Sequence, residues 1–373
     1  MDIQAAVVRE PHGSFSVETV ELGDLQPDEV RVRMVATGVC HTDAVVRDQV
    51  YPTPLPAVLG HEGAGIVEAT GSAVTSVAPG DHVVLSVNSC GWCAKCLTGS
   101  VTYCENLYGR NFGGRRPDGS TSITDASGEL SSYFFGQSSF ATYANVAERS
   151  VVKVRRDVPL KLLGPLGCGI QTGAGAIFNS LMPPMGSTIA IFGAGAVGFS
   201  ALLAALVSGC TTVIAVDIND SRLEKAQALG ATHTVNSATQ DVVEAIMKAT
   251  DGRGVDFALD ATGIAGVLRQ AADSLAVRGT VGLVGSGRPG TEASFETGLS
   301  ITRGWTLKMI IEGDAVPQVF IPRLIELWTQ GRFAFDKLIT EYDFADIDTA
   351  FADSEKGDAI KPVVVFAHTE EVL

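Results

Sequence analysis

The chain has 373 residues, a formal net charge of −15, and 46% hydrophobic against 18% charged residues. That length favours two domains over one core, and the composition is globular rather than disordered. So acidic a chain lacks the clustered Lys and Arg that phosphate backbones and anionic lipids demand, which argues against nucleic acid or a membrane surface as partner. The first nine residues carry Asp2 and no apolar run, so they do not read as a signal peptide. The expectation is a cytoplasmic protein whose reduced thiols serve metals rather than disulfides.

In chain order, apolar–polar alternation predicts a β-rich first part, with strands over 30–39, 64–69, 81–87 and 141–154. Residues 109–139 are rich in Ser and Gly and read as loop, with Arg110, Arg115 and Arg116 as solvated charges. From about residue 186 the rhythm changes. Strands are predicted over 188–192, 212–217, 255–260 and 280–285, and helices over 196–208, 221–229 (with Ser or Asp capping it), 239–249 and 264–275. Such alternation means a parallel, doubly wound sheet, so the fold class is α/β. Residues 189–210 carry no charge, but Gly193, Gly195 and Gly198 interrupt them, and they read as a buried strand and helix rather than a membrane span. A helix over 322–330 and a strand over 362–367 leave the βα rhythm and are assigned back to the first domain. The expected domains are therefore 1–169 with 310–373, and 170–309.

Gly193-Ala-Gly195-Ala-Val-Gly198 follows an apolar strand and opens a helix. Glycines there permit a tight turn, close backbone approach to a pyrophosphate and close helix–strand packing. Asp217 closes the next strand, where an acid accepts from an adenosine ribose 2′-hydroxyl and repels a 2′-phosphate. NAD is thus favoured over NADP, although Arg222 is of a type that accommodates a 2′-phosphate.

Cys90, Cys93, Cys96 and Cys104 are spaced C-x2-C-x2-C-x7-C. Disulfides are disfavoured by compartment. An iron–sulfur run would bring the fourth cysteine sooner and follow it with proline, whereas Glu105 follows here. A closed structural zinc fits best, contributing on the order of 10 kcal/mol to folding its loop. Cys210 reads as a small buried apolar residue, and His12, His82, His233 and His368 as surface or packing residues.

Spacing alone does not find a second metal set. The segment Gly60-His61-Glu62-Gly63-Ala64-Gly65, with Gly71 and Val74 following, resembles the zinc signature of the medium-chain alcohol dehydrogenases. Gly38-Val39-Cys40-His41-Thr42-Asp43 and Gly167-Cys168-Gly169-Ile170-Gln171-Thr172-Gly173 are similar to the two other ligand motifs of that family, and the four-cysteine lobe matches as well. The similarity covers essentially the whole chain. It is greatest to the aryl-alcohol (benzyl alcohol) dehydrogenase branch, through residues 164–175, Ile311-Glu-Gly-Asp314 and Phe320-Ile-Pro322.

The resemblance implies a β-rich GroES-like catalytic domain beside a Rossmann cofactor domain. It implies Cys40, His61 and Cys168 on a catalytic zinc, making two zinc ions per chain. Thr42 would take the alcohol proton, Asp43 would accept from the free nitrogen of His61, and Glu62 would stand near the zinc. His41 and Lys361 would contact the cofactor pyrophosphate. The implied reaction is NAD-dependent, reversible oxidation of aromatic or allylic primary alcohols to aldehydes. The alternative is a broad-specificity or thiol-adduct-oxidising enzyme of the same family, and a different class is a non-catalytic protein that kept the scaffold. A homodimer or homotetramer is implied, with residues 301–310 as an edge strand. One departure stands out: many relatives have a proton-relaying histidine where this chain has Val45, so the relay ends elsewhere, through water or near Arg47.

Overall fold

A computed structural model describes residues 1–367, so His368 lies outside the described residues. The chain forms two compact units. One comprises Met1–Cys168, Val316–Glu326 and residues 336–367; the other comprises Gly169–Ala315 and Leu327–Phe335. Among the described residues no helix is long and apolar enough to cross a membrane.

The first unit opens with β1 (Asp2–Val8), β2 (Ser16–Leu22) and β3 (Glu29–Gly38), then α1 (His41–Arg47). Next come β4 (Ala57–Val58), β5 (Gly63–Thr70), β6 (His82–Leu85), α2 (Ala94–Leu97) and α3 (Leu107–Phe112). The strands β7 (Ile123–Asp125), β8 (Gly128–Leu130), β9 (Tyr143–Ala147) and β10 (Val151–Val154) follow. One sheet runs β4-β1-β2-β7-β8. In the other, β3 pairs antiparallel with β5 and β9, β5 with β6, and β6 with β10. Val30, Val32 and Met34 of β3 are wholly buried with Phe134 and Phe140, and this apolar layer is what the alternation of the early strands builds.

Three sequence expectations change here. The strand expected over 141–154 is two strands parted by a 3-10 turn, Glu148–Ser150, with β9 on β3 and β10 on β6. Glu148 accepts from the backbone of Thr75 and Ser76 at 2.8 and 2.9 Å, which pulls the chain out of one sheet position and into another. The stretch 109–139 is not simply loop: it holds the end of α3, the β7–β8 hairpin and a 3-10 turn, Phe134–Gly136. Arg116 is not solvated. It is 8% exposed, its guanidinium forks onto both Glu29 oxygens at 2.7 Å, and it donates to Thr121 O and Asp24 O. Four of the five guanidinium protons find acceptors in this way, two of them on a carboxylate, and a charge so paired survives burial.

The second unit begins with α4 (Gly169–Gly175), which runs into a π-helical turn, Ala176–Leu181. Then β11 (Thr188–Phe192), α5 (Ala196–Val207), β12 (Thr212–Asp217), α6 (Asp220–Ala228) and β13 (His233–Asn236) alternate. α7 (Val242–Ala249), β14 (Val255–Asp260), α8 (Ala265–Asp273), β15 (Leu275–Leu283), α9 (Thr297–Arg303) and β16 (Thr306–Met309) complete it. The parallel sheet runs β13-β12-β11-β14-β15-β16. Its order reverses between β11 and β14, the switch point at which open α/β sheets bind ligands.

Caps set the helix starts. Asn219, rather than Ser or Asp, caps α6 by accepting from Ser221 N at 2.9 Å, and Asp241 caps α7 through Glu244 N at 2.9 Å, three residues into the helix expected over 239–249. The edge strand expected over 301–310 is only Thr306–Met309, because Gly304 at φ 58° ends α9 first. The remaining elements are α10 (Pro317–Thr329), β17 (Ile339–Asp343), α11 (Ile347–Lys356) and β18 (Lys361–Val365). α10 starts earlier than expected and carries Pro322 inside it. β18 lies antiparallel to β3 and parallel to β17, which returns the tail to the first unit.

Candidate metal centres and nucleotide turn

Strand ends and turns of the first unit carry one ligand set. Cys40 caps α1 just after β3, His61 follows Gly60 (φ +91°) ahead of β5, and Cys168 follows the 3-10 turn Gly164–Gly167. The donor atoms of Cys40, His61, Glu62 and Cys168 all lie within 4.8 Å of one another. Donors around a tetrahedral zinc stand roughly 3.5 Å apart, so one ion satisfies the set after small side-chain shifts.

Hydrogen bonds decide which imidazole nitrogen is free. His61 is wholly buried, and its Nδ1 lies 2.9 Å from Asp43 Oδ1. Asp43 also accepts from Gly60 N at 3.1 Å and Cys40 N at 3.2 Å, so its carboxylate is fixed from three sides. A proton on Nδ1 leaves the lone pair on Nε2, and that buried atom has no hydrogen-bond partner among the described residues. A buried lone pair facing two thiols is the donor set of a zinc site.

The charges around it are tightly balanced. A hydrogen bond from Cys168 holds the Cys40 thiol well below its usual range, against burial and with help from His61. Burial opposes a charge on His61, yet Asp43 and the Cys40 thiolate keep it well above the usual imidazole range. Burial pushes Glu62 up to about 7, with Lys361 pulling the other way. Lys361 Nζ stands 2.5 Å from Glu62 Oε2 and donates to Val39 O at 3.0 Å, with 2% of the residue exposed. The resemblance assigns Lys361 to the cofactor; the structure seats it on Glu62 and Val39. Burial disfavours its charge, but Glu62 keeps its pKa raised.

Thr42 is half-buried and His41 exposed, both in the first turn of α1. Arg47, considered as an end for the proton path, pairs with Asp48 at 2.7 Å and Glu355 at 3.2 Å. Sequence reasoning missed the aromatic wall of this site. Phe134 and Phe135 pack on the His61 ring with centroids 5.5 and 4.6 Å away, and Phe112 stacks edge-on behind both. Gln137 was missed too: it donates to His61 O at 2.9 Å and accepts from Gly63 N at 3.2 Å. The adjacent phenylalanines in a Ser/Gly-rich stretch were the available signal.

Cys90, Cys93, Cys96 and Cys104 form the second set, all buried and all within 4.8 Å. Backbone N–H groups point at sulfur: Cys93 N to Cys90 Sγ at 3.3 Å, and Cys90 N and Asn106 N to Cys104 Sγ at 3.2 and 3.4 Å. Against burial, the amides of Trp92 and Cys93 pull Cys90 down to about 6, while burial and its neighbours push Cys104 up to about 12. Four crowded thiols cannot all ionise without a cation, and a divalent ion resolves that conflict.

In the second unit Gly193 takes φ +94° and opens the nucleotide turn. A Cβ on Gly198 would stand 1.7 Å from Gly193 O, so α5 approaches the turn as only glycine allows. A Cβ on Gly195 would meet nothing within 4 Å, which leaves that face open for a phosphate. Asp217 accepts from Ala194 N at 2.6 Å and Asn219 N at 2.9 Å, which braces the turn and orients the carboxylate. Arg222 is half-buried, and its Nε has no partner among the described residues.

The remaining singled-out residues lie elsewhere. Arg110, Arg115 and Arg116 line a cleft of about 500 Å³ with Trp92, Tyr108 and Tyr133. His12 faces Asp48 at 3.2 Å, His233 lies 3.0 Å from Thr232 Oγ1, and burial lowers the pKa of the half-buried His82. Burial pushes the Cys210 thiol up to about 11.

Two family models match the chain: one described as alcohol dehydrogenase GroES-like domain over residues 26–156, the other as zinc-binding dehydrogenase over 196–329. The chain is 47% identical over 364 residues to a geraniol dehydrogenase of Castellaniella defragrans, with 97% of each chain covered. It is 34% identical to an alcohol dehydrogenase class-3 of Caenorhabditis elegans, covering 98% of this chain and 97% of the other. Among solved structures, benzyl alcohol dehydrogenase from Acinetobacter calcoaceticus superposes with a TM-score of 0.95 at 50% identity, covering 98% of this chain and 100% of that one. An alcohol dehydrogenase zinc-binding domain protein from Burkholderia ambifaria superposes with a TM-score of 0.97 at 53% identity, covering 99% and 100%.

Proposed function

The chain belongs to the zinc-binding alcohol dehydrogenases of the medium-chain family, and from that premise we propose that it oxidises aromatic or allylic primary alcohols reversibly to aldehydes with NAD. The observation that carries the substrate class is the similarity to benzyl alcohol dehydrogenase, at 50% identity and a TM-score of 0.95. Phe134 and Phe135, 0 and 6% exposed, back the His61 ring from within the core and fix its orientation. Two relatives named for benzyl alcohol and for geraniol, an allylic alcohol, support the same reading.

Cys40, His61 and Cys168 would hold a catalytic zinc, and the four-cysteine lobe a structural one. When bound, the zinc would draw charge from an alcohol oxygen and NAD would take up the hydride. Asp43 holds the proton on His61 Nδ1 and so keeps Nε2 a donor. Thr42 takes the alcohol proton, since a hydroxyl accepts and donates at once. Glu62, within ligand reach of the same point, is restrained by Lys361. Asp217 retains lone pairs for a ribose hydroxyl and disfavours a 2′-phosphate, and His41 faces the cofactor. The cellular site is the cytoplasm. A second copy of the chain pairs along the edge strand β16, beside which Leu299, Ile301 and Met309 are 67, 81 and 58% exposed.

The test is NADH formation by the zinc-loaded protein with benzyl alcohol, compared with ethanol at matched concentration. A much larger kcat/KM for benzyl alcohol is expected. Equal or reversed preference overturns the substrate class. Bound NAD without turnover on either alcohol overturns the catalytic reading.

A further inference from the structure

Between β16 and α10 the backbone does something unusual. Glu312, Gly313 and Asp314 take φ of 51, 65 and 50°, three left-handed residues in succession, two of them not glycine. Such residues persist only where surrounding contacts hold them, and they mark places where geometry serves function. Here the contacts are directed at one helix. Glu312 Oε2 accepts from Gln171 Nε2 at 3.1 Å and Thr172 Oγ1 at 3.4 Å, both on α4. Gly313 O accepts from Asn179 Nδ2 at 3.0 Å, and Asp314 Oδ2 from Ser180 Oγ at 2.6 Å, both on the π-helical turn that continues α4. A Cβ on Gly313 would stand 2.5 Å from Gln171 O and 2.8 Å from the Gly175 Cα, so loop and helix backbones touch.

α4 also touches the nucleotide-turn helix. A Cβ on Gly173 would lie 2.0 Å from Val197 O, and Ser200 Oγ of α5 donates to Ile170 O at 2.5 Å. α4 is therefore a shim between the strained loop and α5, the helix that opens at Gly193–Gly198. With three glycines in seven residues it is a poor helix on its own propensity, and its shape depends on what grips it. A glycine at 312 would relieve the strain but would offer Gln171 and Thr172 no acceptor.

We propose that Glu312 is a positioning residue for the dinucleotide: by gripping α4 it holds α5 and the glycine turn in the arrangement that receives the pyrophosphate. This rests on the nucleotide-binding reading of Gly193–Gly198, and it adds a part of the chain outside the turn that tunes cofactor affinity.

The experiment compares wild type, Glu312→Ala and Glu312→Gln as full-length, zinc-loaded protein. NADH affinity is read by fluorescence titration, with kcat, the KM for alcohol at saturating NAD, and thermal stability alongside. Glu312→Ala is expected to weaken NADH binding about tenfold, the loss of two hydrogen bonds to a charged acceptor, with kcat and alcohol KM within about twofold of wild type. Glu312→Gln keeps an acceptor oxygen and should stay within about threefold of wild type. A merely structural role would lower thermal stability and leave the NADH affinity of the folded protein unchanged; that result overturns the inference, as does Glu312→Gln binding as weakly as Glu312→Ala. Should Glu312→Ala fail to fold, Gln171→Met removes one donor alone, and unchanged affinity in that variant overturns it equally. Wild-type protein that binds no NADH would instead overturn the nucleotide reading beneath it.

Discussion

At the residue scale, the proposed Cys40–His61–Cys168 site is oriented by groups outside its ligand set. Asp43 is wholly buried, and burial raises its pKa while His61 opposes the rise. Its three hydrogen bonds set the imidazole tautomer and the Cys40 backbone together. Replacing Asp43 with Asn keeps the size but allows the amide to donate to Nδ1, which would put the His61 proton on Nε2. Zinc affinity at the Cys40 site is expected to fall roughly 10–100-fold, measured by competition with a chromophoric chelator, while zinc in the four-cysteine lobe stays. Equal release of both ions would show that Asp43 serves the fold rather than the site.

At the element scale, the nucleotide turn is a backbone device. Gly198→Ala drives a methyl into Gly193 O, a backbone atom that cannot swing aside, and overpacking of this kind costs about 1–3 kcal/mol. NADH binding should fall steeply while catalytic-site zinc, measured by metal analysis, is retained. Retained NADH affinity would mean that α5 need not approach so closely. The turn itself was legible in the sequence because its signals are local: a β-branched strand, three glycines and an acid closing the next strand. The break in 141–154 was not legible, because Glu148 leaves the alternation intact and acts through the distant backbone of Thr75 and Ser76.

At the scale of the whole molecule, the four-cysteine lobe is, on the proposed reading, a local fold that a zinc ion would hold. Its four sulfurs form a separate small cluster in which, among the described residues, Leu107 alone joins the packing, so little apolar burial supports it. Cys93→Ser is expected to remove one zinc per chain and expose residues 90–104 to limited proteolysis, with the zinc of the Cys40 site retained. A lobe that stays protease-resistant without metal would refute the structural assignment.

What the sequence determined by itself is whatever depends on neighbours within a turn or two: the βα rhythm, the glycine turn with Asp217, and the close spacing of Cys90, Cys93, Cys96 and Cys104. Cys40, His61 and Cys168 lie far apart in the chain and were reached only through family resemblance. Tertiary structure decided that the three sit within ligand reach, that Phe134 and Phe135 wall them, that Lys361 is seated on Glu62, and that Arg116 is buried on Glu29. The physical reason is common to all four. A charge or ring is held in the interior only where segments distant in sequence bring a matching partner beside it, and that meeting is set by how the loops and strand ends pack on the sheets.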